Sequence, residues 1–174
     1  DLHSFPTRRS SDLLVFATFS ACSDLTSIIV EEGNPVYDSR DNCNAIIKTA
    51  DNKLMYACNN TIIPNSVTSI GDLAFLGCSG LTSITIPNGV TSIGRHAFLG
   101  CSSLASITIP DGVTSIETGS FQNCSGLTSM IIPDNVTSIP ELSFNGCSSL
   151  ISITIGKSVT SIGYNAFSGC RSLK

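Results

Sequence analysis

The chain has 174 residues, a formal net charge of −4 and only 13% charged residues, against roughly 25% in an ordinary soluble domain. Hydrophobic residues make up 41%, which excludes a disordered acidic tail and a polybasic nucleic-acid arm. With no Trp and 6% aromatics, the apolar content is aliphatic, and 20 Ile beside 44 Ser plus Thr make a β-forming mixture in a length that suits one domain.

The N-terminal stretch is set apart. Residues 3–13, His3-Ser4-Phe5-Pro6-Thr7-Arg8-Arg9-Ser10-Ser11-Asp12-Leu13, resemble the translation of a common sequencing adaptor, so residues 1–13 are expected to be artefactual or disordered. Arg8-Arg9, the apolar Leu13–Phe19 run and Cys22 imitate a secretion signal. The run is short for that purpose, and Cys22 falls in register with Phe19, Leu25 and Ile28 as the start of a repeat.

From Val30 to Ile63 the spacing is 33 residues, ten more than the repeat that follows. Asn34-Pro35 begins a turn, and Ala45–Thr49 and Leu54–Cys58 are short apolar runs separated by Ala50-Asp51-Asn52-Lys53. This predicts an inserted β-hairpin at about 31–62, protruding from the remainder, or a longer variant of the repeat. Asp38-x-x-Asp41-Asn42 lacks the ligand spacing of a known calcium loop.

From Ile63 onward the chain is a repeat, the feature that decides a fold before any other. Cys78, Cys101, Cys124, Cys147 and Cys170 stand 23 residues apart, as do Phe75 to Phe167, Leu81 to Leu173 and Val67 to Val159. The unit reads C-x-x-L-x-x-I-x-I-P-x-x-V-T-S-I-G-x-x-A-F-x-x, departing at Met130 (for Ile), Gly156 (for Pro), and Glu117 and Pro140 (for Gly). Leu81, Ile84 and Ile86 predict a half-buried strand stopped by Pro87. Val90–Ile93 predicts a second, after an Asn88-Gly89 turn, and Ala97-Phe98-x-x-Cys101 a tight turn into the next unit. One unit alone loses: six large apolar side chains gain about 1.5–3 kcal/mol each on burial, while ordering each of its 23 backbone positions costs about 1–2 kcal/mol. Stacked coils bury like on like and pair their strands in parallel.

These residues resemble the BspA-like (Treponema pallidum type) leucine-rich repeat, a family of bacterial and protist surface proteins. Five consecutive units from about Ile63 to Lys174 carry the resemblance, and Phe19-x-x-Cys22-x-x-Leu25-x-x-Ile28-x-Val30 adds an earlier one. It implies a right-handed leucine-rich-repeat superhelix, a β-rich solenoid of 23-residue coils over residues 14–174, associated with adhesion to host or matrix proteins, glycans or other cells. It also implies a secreted or cell-surface location, and it brings no catalytic residues or cofactor.

Six of the eight cysteines belong to the repeat. A stack at about 4.8 Å holds Cβ atoms farther apart than the ≈ 3.8 Å a disulfide prefers, so a buried thiol column is expected. Cys43 and Cys58 lie outside it and could pair across the inserted hairpin. No C-x-x-C pair or Cys–His zinc spacing exists. Outside the adaptor-like segment the only histidine is His96, expected on an exposed loop, so a nucleophile–His arrangement has nothing else to build on. Sequons occur at Asn59, Asn123 and Asn135. Membrane-length apolar runs and basic patches are absent.

Candidate ligand-contacting positions are the variable slots. One outward row runs Thr85, Thr108, Ile131, Thr154, and a second runs Thr82, Ala105, Thr128, Ile151; Ile131 and Ile151 would form an apolar patch. The loop edge carries Arg95, His96, Glu117, Glu141 and Tyr164. The expected function is non-enzymatic protein or glycan binding, without nucleic acid, cofactor, metal or membrane span. The alternatives are a structural stalk, or repeats flanking a catalytic domain. Because Arg171-Ser172-Leu173-Lys174 lies just inside another unit without a polar cap, the chain is expected to be a section of a longer array that associates or frays when isolated.

Overall fold

The computed structural model describes residues 19, 22 and 24–174; the segment 1–13 lies outside them. In chain order come β1 (Tyr37–Asp38), a 3-10 turn (Arg40–Asn42), β2 (Ala45–Lys48), β3 (Lys53–Ala57) and β4 (Ser69–Ile70). Four further coils each supply two strands: β5 (Ser83–Thr85) and β6 (Ser92–Ile93), β7 (Ser106–Thr108) and β8 (Ser115–Ile116), β9 (Ser129–Ile131) and β10 (Ser138–Ile139), β11 (Ser152–Thr154) and β12 (Ser161–Ile162).

The strands are short because turns punctuate each unit. Val90, Val113 and Val136 donate their N–H groups to Pro87, Pro110 and Pro133 at 3.0–3.2 Å, closing the turn between the two strands. After the Phe position the chain reverses through Gly77, Gly100, Gly146 and Gly169 at φ +71 to +80, a region that glycine enters without steric cost. Asn123 fills the same slot at φ +58, a conformation that Asn tolerates better than most residues.

Pairing follows the 23-residue step. Ser83–Ile84–Thr85 lie opposite Ser106–Ile107–Thr108, and Ser129–Met130–Ile131 opposite Ser152–Ile153–Thr154, all in parallel. The second strands repeat this through Ser69↔Ser92↔Ser115 and Ser138↔Ser161. A third ladder runs through the turns, where Phe75, Phe98, Phe121 and Phe144 donate N–H to Ala97, Ser120, Ser143 and Ala166 of the next coil at 2.7–2.9 Å. Backbone groups that a single coil could not satisfy are thereby paired with the neighbour.

Side chains stack in the same columns. The rings of Phe75, Phe98, Phe121, Phe144 and Phe167 lie parallel, with successive centroids 4.8–5.5 Å apart. Cys101, Cys124, Cys147 and Cys170 each donate the thiol to the carbonyl of the Phe 26 residues earlier, at 3.1–3.2 Å. In the last coil Val159, Phe167 and Leu173 have a neighbour on one side only and are partly buried.

The segment 31–62 differs from expectation in one respect: its hairpin does not protrude. β2 and β3 pair antiparallel, but β3 also runs parallel to β4, with Lys53↔Ser69 and Leu54↔Ile70, so it occupies the second-strand column of a coil. Ala45, Ile47 and Leu54 are fully buried in the main core. Strand alternation turns Ile46 away from Ala45 and Ile47, and the register shift at Ile46/Ile47 leaves Met55 of β3 unpaired, so that Tyr56 faces with Ile46 instead of with Leu54. Ile46 and Tyr56 join a second cluster with Ile28 and Cys58, packed by Phe19 and Leu25. Apolar side chains on both faces leave such a hairpin no stable exposed position, since each large one gains about 1.5–3 kcal/mol on burial. Arg40 fixes the preceding turn, reaching Asp38 through Nε at 2.7 Å and Asn52 through a terminal nitrogen at 2.8 Å. Its guanidinium holds the Asp38 carboxyl below the usual carboxylate range, and that carboxylate is thereby engaged within the protein.

Candidate binding surface

The repeat presents two outward faces, one per strand set. On the first, inward Ile84, Ile107, Met130 and Ile153 alternate with outward neighbours, so Thr85, Thr108, Ile131 and Thr154 form an exposed row. Ile131 is 66% exposed and Ile151 49%. The two are offset: Ile131 lies opposite Thr154, whereas Ile151 donates its N–H to Thr128, so one coil and three residues separate them, about 10 Å along the strand direction. The same row contains a residue that the strand reading passed over, Ile62, 71% exposed and 23 residues before Thr85. Its position inside the irregular 31–62 segment hid a spacing that was readable.

The second face carries a groove of about 440 Å³. Buried Gly94 lines it, and at Gly94, as at Gly71 one coil earlier, the preceding coil approaches too closely for a side chain: a Cβ would stand 2.6 Å from the Asp72 backbone nitrogen, or 2.7 Å from the Leu54 carbonyl oxygen at Gly71. Ser69 and Ser92 line one side, Asp72 and Arg95 the other, with Lys53 and Glu117 at the ends. Asp72 Oδ1 accepts the Arg95 N–H at 2.8 Å, and Glu117 Oε1 accepts the Ser115 hydroxyl at 2.7 Å. Arg95 and Glu117 were legible as variable loop-edge positions. Asp72 occupies the Arg95 slot one period earlier, whereas the insertion takes Lys53 out of any countable period.

Of the remaining loop-edge residues, Glu141 and Tyr164 are exposed and follow Arg95 in the same slot on later coils; neither lines the groove. His96 is half-buried instead of exposed. Its Nδ1 is shielded from solvent and lies 2.2 Å from where a Cβ on Gly119 would stand, so the imidazole fills the space that the next coil's glycine leaves.

The cysteines are free thiols. Burial pushes those of Cys78 and Cys147 up to about 12 and those of Cys101 and Cys124 higher still, which keeps them protonated and poor nucleophiles. Cys43 and Cys58 contact separate carbonyls, those of Ala45 and Asn44. Among the described residues, no group of three or more His, Cys, Asp or Glu side chains is arranged to hold a metal ion, and no helix is long and apolar enough to cross a membrane.

The sequence model of the BspA type leucine rich repeat region matches residues 47–174 in six copies. The chain belongs to this family. Its match begins at Ile47, within β2, in agreement with a hairpin that forms part of the repeat array. Among solved structures, the BspA type chain is similar to the pneumococcal vaccine antigen PcpA, with 26% identity and a TM-score of 0.73 over 86% of this chain and 38% of that one. A leucine-rich repeat protein from Eubacterium ventriosum shares the fold, with 24% identity and a TM-score of 0.73 over 88% and 49%. A leucine rich cell surface protein from Faecalibacterium prausnitzii is 34% identical, with a TM-score of 0.54 over 70% and 38%. The chain therefore spans less than half the length of each of these structures. No curated protein sequence matches it.

Proposed function

We propose that this BspA type solenoid is a non-enzymatic binding module of a secreted or cell-surface adhesin, contacting a host or matrix protein or glycan through several coils at once. The observation that carries the reading is the combination of invariant core columns with exposed positions that change from coil to coil. Ile62, Ile131 and Ile151 interrupt a hydroxyl-lined face, and Lys53, Asp72, Arg95 and Glu117 ring the groove. The cell-surface protein and the vaccine antigen among its structural relatives support the location. A repeat array suits such a task because each coil adds contacts on a preformed surface, which lowers the ordering cost of association. The test is an array of matrix proteins and glycans probed with the chain: saturable binding to a defined ligand supports the proposal, and no binding across the array leaves the chain as a spacer.

A further inference from the structure

We propose that the groove lined by Ser69, Ser92 and Gly94 recognises an extended polypeptide segment bearing one acidic and one basic side chain four residues apart. This deepens the reading of the chain as a binding module and rests on it. The four charged residues at the groove come from four successive coils and alternate in sign: Lys53, Asp72, Arg95, Glu117. In a chain with 13% charged residues, that is a local concentration. None of the four is in an ion pair; the ion pairs among the described residues are Arg40–Asp38, Lys48–Asp51 and Lys157–Asp134.

Sign selects the occupant. A polyanion such as nucleic acid or a sulfated glycan meets Asp72 and Glu117, and a polycation meets Lys53 and Arg95, so each suffers like-charge juxtaposition at half of the site. The hydroxyls of a neutral glycan hydrogen-bond to charged side chains but bring no opposite charge to any of the four. A polypeptide carries both signs on one chain, and the hydroxyls of Ser69 and Ser92 supply donors and acceptors for its backbone. Length agrees. Three coil steps of about 4.8 Å place the Lys53 and Glu117 ends about 14 Å apart along the solenoid axis, and an extended chain rising about 3.3 Å per residue covers that distance in four residues. Residues i and i+4 then face the same way.

The test uses the isotope-labelled chain and three blocked peptides, Glu-Ser-Thr-Ser-Lys, Glu-Ser-Thr-Ser-Glu and Lys-Ser-Thr-Ser-Lys, followed by amide chemical shifts. The mixed peptide is expected to shift Ser69, Ser92, Gly94 and Arg95 saturably, about tenfold more tightly than either single-sign peptide, and less tightly as salt rises. Lys53→Glu is expected to move the preference to the two-lysine peptide, and Glu117→Lys at the other end to the two-glutamate peptide; amide dispersion reports folding of each variant. Equal binding of the three peptides, no groove shifts with the mixed peptide at millimolar concentration, or stronger groove shifts with dextran sulfate overturns the inference. Capture of a matrix protein or glycan that both charge variants leave unchanged overturns the groove while the adhesin reading stands. Peptide binding here with no capture on the array does the reverse.

Discussion

Cys124 donates its thiol to the carbonyl oxygen of Phe98 at 3.2 Å, and the same oxygen accepts the backbone N–H of Cys101 at 3.1 Å. One carbonyl thus closes its own coil's turn and ties down the next, which gives the cysteine column a structural cause beyond size. Cys124→Ala is expected to cost about 1–3 kcal/mol, combining a lost thiol bond with a small cavity. Cys124→Ser retains a donor and a hydroxyl at a fully buried site. Urea unfolding monitored by circular dichroism checks both.

The same burial sets a pH limit. The folded thiols of Cys78 and Cys147 lie near 12, with Cys101 and Cys124 higher, while unfolded thiols ionise near 8.5. Between those values the unfolded chain holds fewer protons than the folded one, so stability is full below about pH 8.5 and falls above it, by about 1.4 kcal/mol per pH unit for each such thiol. Denaturation midpoints at pH 7.5, 9 and 10 test this, and an unchanged midpoint contradicts it. In the folded chain a thiol reagent is expected to label exposed Cys22 at once and the six buried thiols, those of Cys43, Cys58, Cys78, Cys101, Cys124 and Cys147, only after denaturation.

Gly119 and His96 are coupled. Gly119→Ala places a methyl 2.2 Å from His96 Nδ1 at φ +64, and is expected to destabilise by about 1–3 kcal/mol. Adding His96→Ala relieves the clash and leaves only the backbone strain, so the two substitutions are expected to be non-additive in a double-mutant cycle.

Leu54→Ala discriminates an integrated hairpin from a protruding one. A fully buried Leu costs about 2–5 kcal/mol when truncated, and Leu54 is 0% exposed in the main core. A loss below about 0.5 kcal/mol, typical of a surface position, contradicts the packing described above.

The coil was readable because Phe, Cys, Leu and Ile recur with a fixed step, so each position inherits its neighbours' environment. The role of the hairpin was less readable. Ile46, Ile47, Leu54 and Tyr56 show apolar character without showing which core each faces, and the bulge at Met55, which sets Tyr56 on the opposite face from Leu54, leaves no sequence signature. The binding surface was partly legible. Arg95 and Glu117 appeared as variable slots, but only the stacking of coils brings them beside Asp72 and the bare Gly94, and Lys53 reaches the groove only through the strand register of the insertion. His96 misled for a related reason: its burial depends on a glycine in the next coil.

The binding role of the exposed isoleucines is tested by comparing saturable binding of the chain to its captured matrix protein or glycan with that of an Ile62→Lys/Ile131→Lys/Ile151→Lys variant. All three residues are exposed, so the variant is expected to unfold at the same urea concentration within about 0.5 kcal/mol. Binding is expected to weaken about tenfold or more with the fold intact. Undiminished binding by the folded variant would contradict that role.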